Sequence, residues 1–290
     1  MPTLDWIGKQ AARNHRKDNS LIEITDDNMT DENPTQKYGS LWTREELILA
    51  FDLYCRIPFQ KTKANNPEVI TLARLIKRTP GSVARKLGNF GSFDPELKKQ
   101  KISGLEHASK LDKEIWDEFH KDWNQLVLEA RQLKDEFGFD LDIKEEKKID
   151  VSLPKGASEK EVIQKTRVHQ SFFRETILSG YENTCCITGL TITECLVASH
   201  IIPWSVSERH RTDPRNGLCL SATFDRLFDR GLITITNRLD VIVSHRIRNT
   251  GDKRIEDIIC RYHDKPMIRP RRFFPEVSNL EWHHKNIFQE

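Results

Sequence analysis

The chain has 290 residues, 37% of them hydrophobic and 31% charged, with a formal net charge of +2. That is room for about two domains of ~100–200 residues each. No apolar run approaches the ~18–20 residues that cross a bilayer, and the opening MPTLDWIGKQAARNHRKDN has no apolar signal-peptide core. A cytoplasmic protein without membrane association is expected. Cys55, Cys185, Cys186, Cys195, Cys219 and Cys260 show no CxxC spacing, so they read as reduced thiols rather than as a zinc site.

Residues 1–37 are polar, and EITDDNMTDENPTQ reads as part of a flexible arm. From Tyr38 the pattern is helical. Thr43 followed by Glu46 predicts a capping box, and Leu47, Leu49, Ala50 and Leu53 supply an apolar face. Residues 67–90 predict two helices around a tight turn. Pro67 suits a first helical turn, and Thr79-Pro80-Gly81-Ser82 breaks the pattern, with Thr79 or Ser82 as the second cap. The second helix is expected to show Arg85 and Lys86 on its surface. Together with the helix led by Trp42, the layout resembles Myb-like or helix-turn-helix DNA-binding domains. A plain helical interaction or dimerisation domain has the same outline. One further helix is predicted over 112–136, with Trp116, Phe119 and Trp123 on a shared core face. Residues 142–161 are charged, then rich in Pro, Gly and Ser, and read as a linker. The expected organisation is an arm over 1–37, a helical domain over 38–140, a linker over 141–160 and a second domain over 161–290.

That second domain opens with a predicted helix. TCCITG and CLVASHI then read as short strands. PRNGLCLSATFDRLFDRG reads as a turn followed by a helix that stops at Gly231. LITIT and DVIVS read as a hairpin across NRLD. Residues 244–274 are rich in arginine, which suits either a polyanion surface or a solvated face.

One histidine stands out, in VASHIIPWS. Alone, His200 is open to three readings: core residue, metal ligand or general base. Asn216 follows at the entrance to a predicted helix, and Asp225 and Asp229 lie one turn apart on it. Phe224, Leu227 and Phe228 would pin that helix down. A strand histidine facing an asparagine and two carboxylates predicts a compact polar site.

These motifs, RVHQSFFRETILSGYENTCCITG, ASHIIPW, DPRNGLCL and FDRLFDRGLITI, resemble the HNH endonuclease family of ββα-metal nucleases, in the branch assigned to restriction endonucleases. The resemblance spans 167–235 and extends more weakly to NLEWHHKNIF. It implies an α+β protein: an N-terminal all-helical (helix-turn-helix or Myb-like) domain and a C-terminal ββα-metal HNH domain. His200 matches the family's general base. Asn216 matches the asparagine that orients the site or ligates the metal. Asp225 stands at the last family letter, often a metal-binding histidine, and Asp229 at a further ligand position of some branches. Oxygen ligands favour Mg²⁺ or Mn²⁺. Arg215 and Arg230 brace the phosphate or are plain surface residues; Arg85 and Lys86 are the DNA contacts expected of the helical domain.

Two departures matter. Ser199 stands where many members carry a ligand just before the base, and Asp225 replaces the frequent histidine. Gly189 occupies the place of a CxxC partner, so Cys186 and Cys219 are read as core. His210 is expected in a solvated loop, and His283 and His284 in hydrogen bonds of a C-terminal strand. The implied function is hydrolysis of double-stranded DNA in bacterial restriction or anti-phage defence, cutting both strands as a homodimer or by two nicks. LDWIGKQAARNHRKD resembles an opening segment of some bacterial DNA methyltransferases and restriction proteins, which points to the same setting. The alternatives are a DNA-binding protein with a degenerate, non-catalytic HNH fold, and a nuclease subunit silent until a partner or signal arrives.

Overall fold

The computed structural model describes residues 39–102, 108–138 and 159–290. The predicted arm and most of the predicted linker lie outside them. The described residues all fall within one compact unit.

Helix α1 (Arg44–Arg56) starts as its capping box predicts: the Thr43 side chain accepts from the Glu46 amide, and Glu46 reaches back to the Thr43 amide. Asn66 caps α2 (Pro67–Leu75) and Thr79 caps α3 (Pro80–Phe93), each with proline in the first turn. A short α4 (Pro95–Lys99) follows. The stretch predicted as one helix is two, α5 (Lys110–Phe119) and α6 (Trp123–Glu136). The break comes where the Asp122 side chain caps a new helix at the Gln125 amide. Trp116, Phe119 and Trp123 are buried all the same. They meet Phe51 of α1 in an aromatic cluster with ring centroids 5.6–6.4 Å apart.

Lys86 does not stand on the surface of α3. It is buried, ion-paired with the fully buried Asp112 at 2.9 Å and lying over the Trp42 ring. Helical phase explains this: Lys86 follows Val83 by three residues on the inward face, whereas Arg85 turns outward and is exposed.

Helix α7 (Glu159–Gly180) leads into the second part of the unit. TCCITG is not a strand but chain that bends through one turn at 186–188. Cys185 Sγ accepts from the Thr188 and Ser221 amides, which ties the turn to its neighbour. Strand β1 (Leu196–His200) pairs antiparallel with β2 (Gly217–Ser221), placing His200 opposite Gly217. The β2 residues, expected at the start of a helix, form a strand instead. GLCLS is buried on every residue, so it lacks the alternation that marks a one-sided strand. Helix α8 (Ala222–Asp229) follows directly, and α7 and α8 both pack on the ribbon. Strands β3 (Ile233–Ile235) and β4 (Asp240–Val243) form the predicted hairpin, extended by β5 (Lys265–Pro266) after α9 (His245–Arg248) and α10 (Lys253–Ile258). The C-terminal segment is a helix, α11 (Val277–Asn286), not a strand.

Among the described residues two apolar cores result, one among α1–α3, α5 and α6, the other around the β1–β2 ribbon. Phe172 of α7 and Phe273 belong to the first core and Phe173 to the second, so α7 serves both.

Candidate active site

His200 ends β1. Because neighbouring strand residues face opposite ways, His200 and Ser199 look to different sides of the ribbon. On His200's side lies α7. A Cβ at Gly217, directly across, would strike Ile177 and Phe173 of that helix. The His200 ring stacks on Phe173 with centroids 3.7 Å apart and planes 8° apart, and meets Trp204 edge-on at 5.7 Å. Its Nε2–H donates to the Arg211 carbonyl at 3.0 Å. A carbonyl only accepts, so this bond selects the tautomer whose Nδ1 carries the lone pair. Among the described residues Nδ1 takes no hydrogen bond. Burial holds the imidazole down at about 4, against the opposing pull of the Arg211 carbonyl, so the ring is neutral at pH 7.

The loop between the strands is held from inside by Asn216, which is fully buried. Its Oδ1 accepts from the Ile202 amide at 2.8 Å, and its Nδ2 donates to the carbonyls of Ile202 and His210. The amide is committed to backbone on both ends, so what it does in this geometry is shape the loop that carries Arg211. His210, in that loop, is half-buried beside Ser207 Oγ.

The carboxylates stand on the other side. Asp225 of α8 reaches toward buried Ser199; burial raises its carboxyl above the ordinary value, against the opposing pull of the Ser199 hydroxyl and Arg226. The contact falls short of a hydrogen bond of good geometry, and Ser199 Oγ is left without a partner. Asp229, one turn on, is exposed. Partial burial first, then repulsion from Asp225, lifts it to about 6, with Arg226 and Arg230 opposing. The expected compact site is thus two half-sites flanking the end of β1: a histidine against α7 and a hydroxyl with two carboxylates against α8.

Among the described residues, no three His, Cys, Asp or Glu side chains come together as a metal-binding group. The α8 side offers hard oxygens only: Asp225, Asp229 and the orphaned Ser199 hydroxyl. Such a set suits an ion of the Mg²⁺ type, which keeps several waters and takes one or two carboxylates. It does not suit zinc. Cys186 and Cys219 are buried, with thiols pushed up, Cys219 to about 12, as core residues are.

Arg215 is engaged by Asp213 through two bonds of 3.0 and 2.8 Å and by Glu276 at 3.6 Å. Arg230 is exposed next to Asp229. Three contributors were not picked out from the sequence: Phe173, Trp204 and the Arg211 carbonyl. The four-residue spacing of His169 and Phe173 on one helix face was the available signal for the first; a backbone carbonyl leaves none.

Comparison with known families gives a match over residues 185–236 to the model described as HNH endonuclease. No curated protein matches the chain.

Proposed function

Proceeding from a chain whose residues 185–236 match the HNH endonuclease family model, we propose that this protein is a divalent-metal-dependent endonuclease that hydrolyses DNA phosphodiester bonds. The observation that carries the reading is the His200 tautomer: Nε2–H donates to the Arg211 carbonyl, leaving Nδ1 as a neutral base at the strand end. In this reading Nδ1 takes the proton from the attacking water. Asn216 is a positioning residue, holding the loop that orients the ring. Asp225 and Asp229, with Ser199, would hold Mg²⁺ or Mn²⁺; when bound, such an ion stabilises phosphate charge and the departing oxygen. One phosphodiester served by both half-sites would lie across the end of β1. Arg230 is the exposed candidate for a phosphate contact, Arg215 being occupied by Asp213 and Glu276. On the helical part, exposed Arg85 is the remaining candidate for DNA contact. Cutting both strands requires a homodimer or two successive nicks, and the resemblance points to bacterial restriction or anti-phage defence in the cytoplasm. No described helix is long and apolar enough to cross a membrane.

Supercoiled plasmid incubated with Mg²⁺, Mn²⁺ or EDTA tests this. Metal-dependent nicking is expected, reduced about 10²–10⁴-fold in His200→Ala, the usual worth of a positioned general base. Equal nicking by the variant removes His200 from the chemistry.

A second reading is a DNA-binding protein on a non-catalytic HNH fold. Ser199 at the position before His200, and the lack of a three-ligand group among the described residues, favour it. A plasmid retarded on a gel and never nicked would select this reading.

A further inference from the structure

Helix α7 carries a second histidine beside the first. His169 lies one turn before Phe173, the residue on which His200 stacks. Its ring stands 6.5 Å from Trp204, and the Trp204 ring is in turn 5.7 Å from His200. His169 is 6% exposed and its Nε2 has no hydrogen-bond partner. A buried polar atom without a hydrogen bond carries an uncompensated desolvation cost, which a bound ligand would remove. The charged groups acting on this ring are Lys165, one turn back on α7 and exposed, and Arg211, both cations. The Arg211 guanidinium lies over the Trp204 ring at 5.1 Å, and its Nε donates to the Trp204 carbonyl. Its carboxylate partner, Glu208 at 3.2 Å, is 84% exposed, a surface pairing of small worth that an anion can displace. The two cations repel a metal ion, and with the imidazole presenting an N–H at Nε2 they suit an anion with several acceptor oxygens.

We propose that His169, Lys165 and Arg211 form a phosphate-binding subsite, walled by Trp204 and continuous with His200, that takes a backbone phosphate of the nucleic acid next to the one attacked. The subsite rests on the nuclease reading for its ligand, but its test does not need cleavage. His200→Ala protein in EDTA is titrated with a short fluorescent DNA duplex over a range of salt, alone and with Lys165→Ala or His169→Leu added. Lys165→Ala is expected to weaken binding about fivefold to tenfold and to lower the slope of log affinity against log salt by about one, the mark of one lost charged phosphate contact; His169→Leu, which removes an uncharged donor, is expected to weaken binding by a similar factor and leave the slope unchanged. Lys165 is exposed, so its variant keeps the test decisive if His169→Leu fails to fold. In parallel, the imidazole ¹⁵N signals of His169 are followed during addition of inorganic phosphate and of the duplex. A shift with the duplex supports the subsite, and a shift with phosphate as well identifies the phosphate group as what it reads. Unchanged affinity and slope in Lys165→Ala, with a His169 signal that ignores both probes, overturns it. Weakened binding in Lys165→Ala beside a wild type that never nicks plasmid keeps the subsite and overturns the nuclease reading, so the two fail separately.

Discussion

His200 and His283 are packed almost alike. Each stacks on a phenylalanine at 3.7 Å, Phe173 and Phe228, and each donates Nε2–H to a carbonyl, of Arg211 and Phe228. The difference is one atom. His283 Nδ1 accepts from Thr234 Oγ1 at 3.0 Å, whereas His200 Nδ1 is not engaged. His283 is therefore a satisfied core histidine, and His200 keeps the ring nitrogen that the proposed function uses as its base. Burial lowers both to about 4, from an unfolded value near 6.5. Because the folded values are depressed, the stability tied to the neutral rings is full above pH ~6.5 and is lost as pH falls through about 4, up to roughly 3 kcal/mol for the fully buried His283. Urea unfolding at pH 7 and pH 5 is expected to show His283→Phe less stable than wild type at pH 7 but with a smaller decline on acidification. Parallel declines would remove His283 from the acid response.

At the scale of elements, the short helix α8 is held at both ends by tertiary contacts rather than by length. Eight residues are too few to be helical alone. Buried Phe224 and Phe228 fix one face, which leaves Asp225 and Asp229 together on another. The helix stops at Gly231, whose φ of +64° favours glycine. Gly231 also touches the C-terminus: a Cβ there would run into the Ile287 carbonyl, and its own carbonyl accepts from the Gln289 amide. Gly231→Ala thus meets a strained backbone and a backbone clash at once. A loss of about 2–4 kcal/mol is expected in urea unfolding, and a loss under ~1 kcal/mol would show that the α11 end simply moves aside. The glycine stop was legible in the sequence because it is local chemistry. The strand β2 was not, because complete burial erases the period that distinguishes strand from helix. The break before Trp123 was missed for the opposite reason: the apolar phase carries on across it while a side-chain cap starts a new helix.

For the whole molecule, the decisive residue is Arg272. It is buried without a carboxylate partner among its hydrogen bonds. Its guanidinium donates to the carbonyls of Tyr54 at 2.7 Å and Ile57 at 2.6 Å, closing the end of α1, and to Ser179 Oγ of α7 at 2.6 Å. The unsatisfied carbonyls of a helix C-terminus are a natural seat for a cation. The arginine-rich stretch over 244–274 is thus in part internal mortar rather than a polyanion surface. Arg272→Met is expected to cost about 3–5 kcal/mol by leaving several buried carbonyls unpaired, with the urea transition moving as one. A change under ~1 kcal/mol would mean that the helical part and the C-terminal part do not depend on this link. A second link reaches the site: Asn124 of α6 donates to the Glu208 carbonyl and accepts from Thr212 Oγ1 at 2.6 Å, bracketing Arg211. The helical part thus buttresses the loop that orients His200.

The sequence by itself determined what depends on neighbours along the chain. It specified the capping box of α1 and the proline starts of α2 and α3, the hairpin across NRLD, the glycine stop after α8, and the motif order around His200 and Asn216 that falls within the family match. These are read within a few residues, where backbone geometry and side-chain hydrogen bonds decide. Only the tertiary structure decided which side of a residue is wet and which atoms it can still offer. It buried Lys86 against Asp112, used up Arg215 and the Asn216 amide, set His200 and Asp225 on opposite faces of one ribbon, and drew Arg211 and His169 to Trp204. Burial and hydrogen-bond satisfaction are sums over partners distant in sequence, and no local pattern contains them.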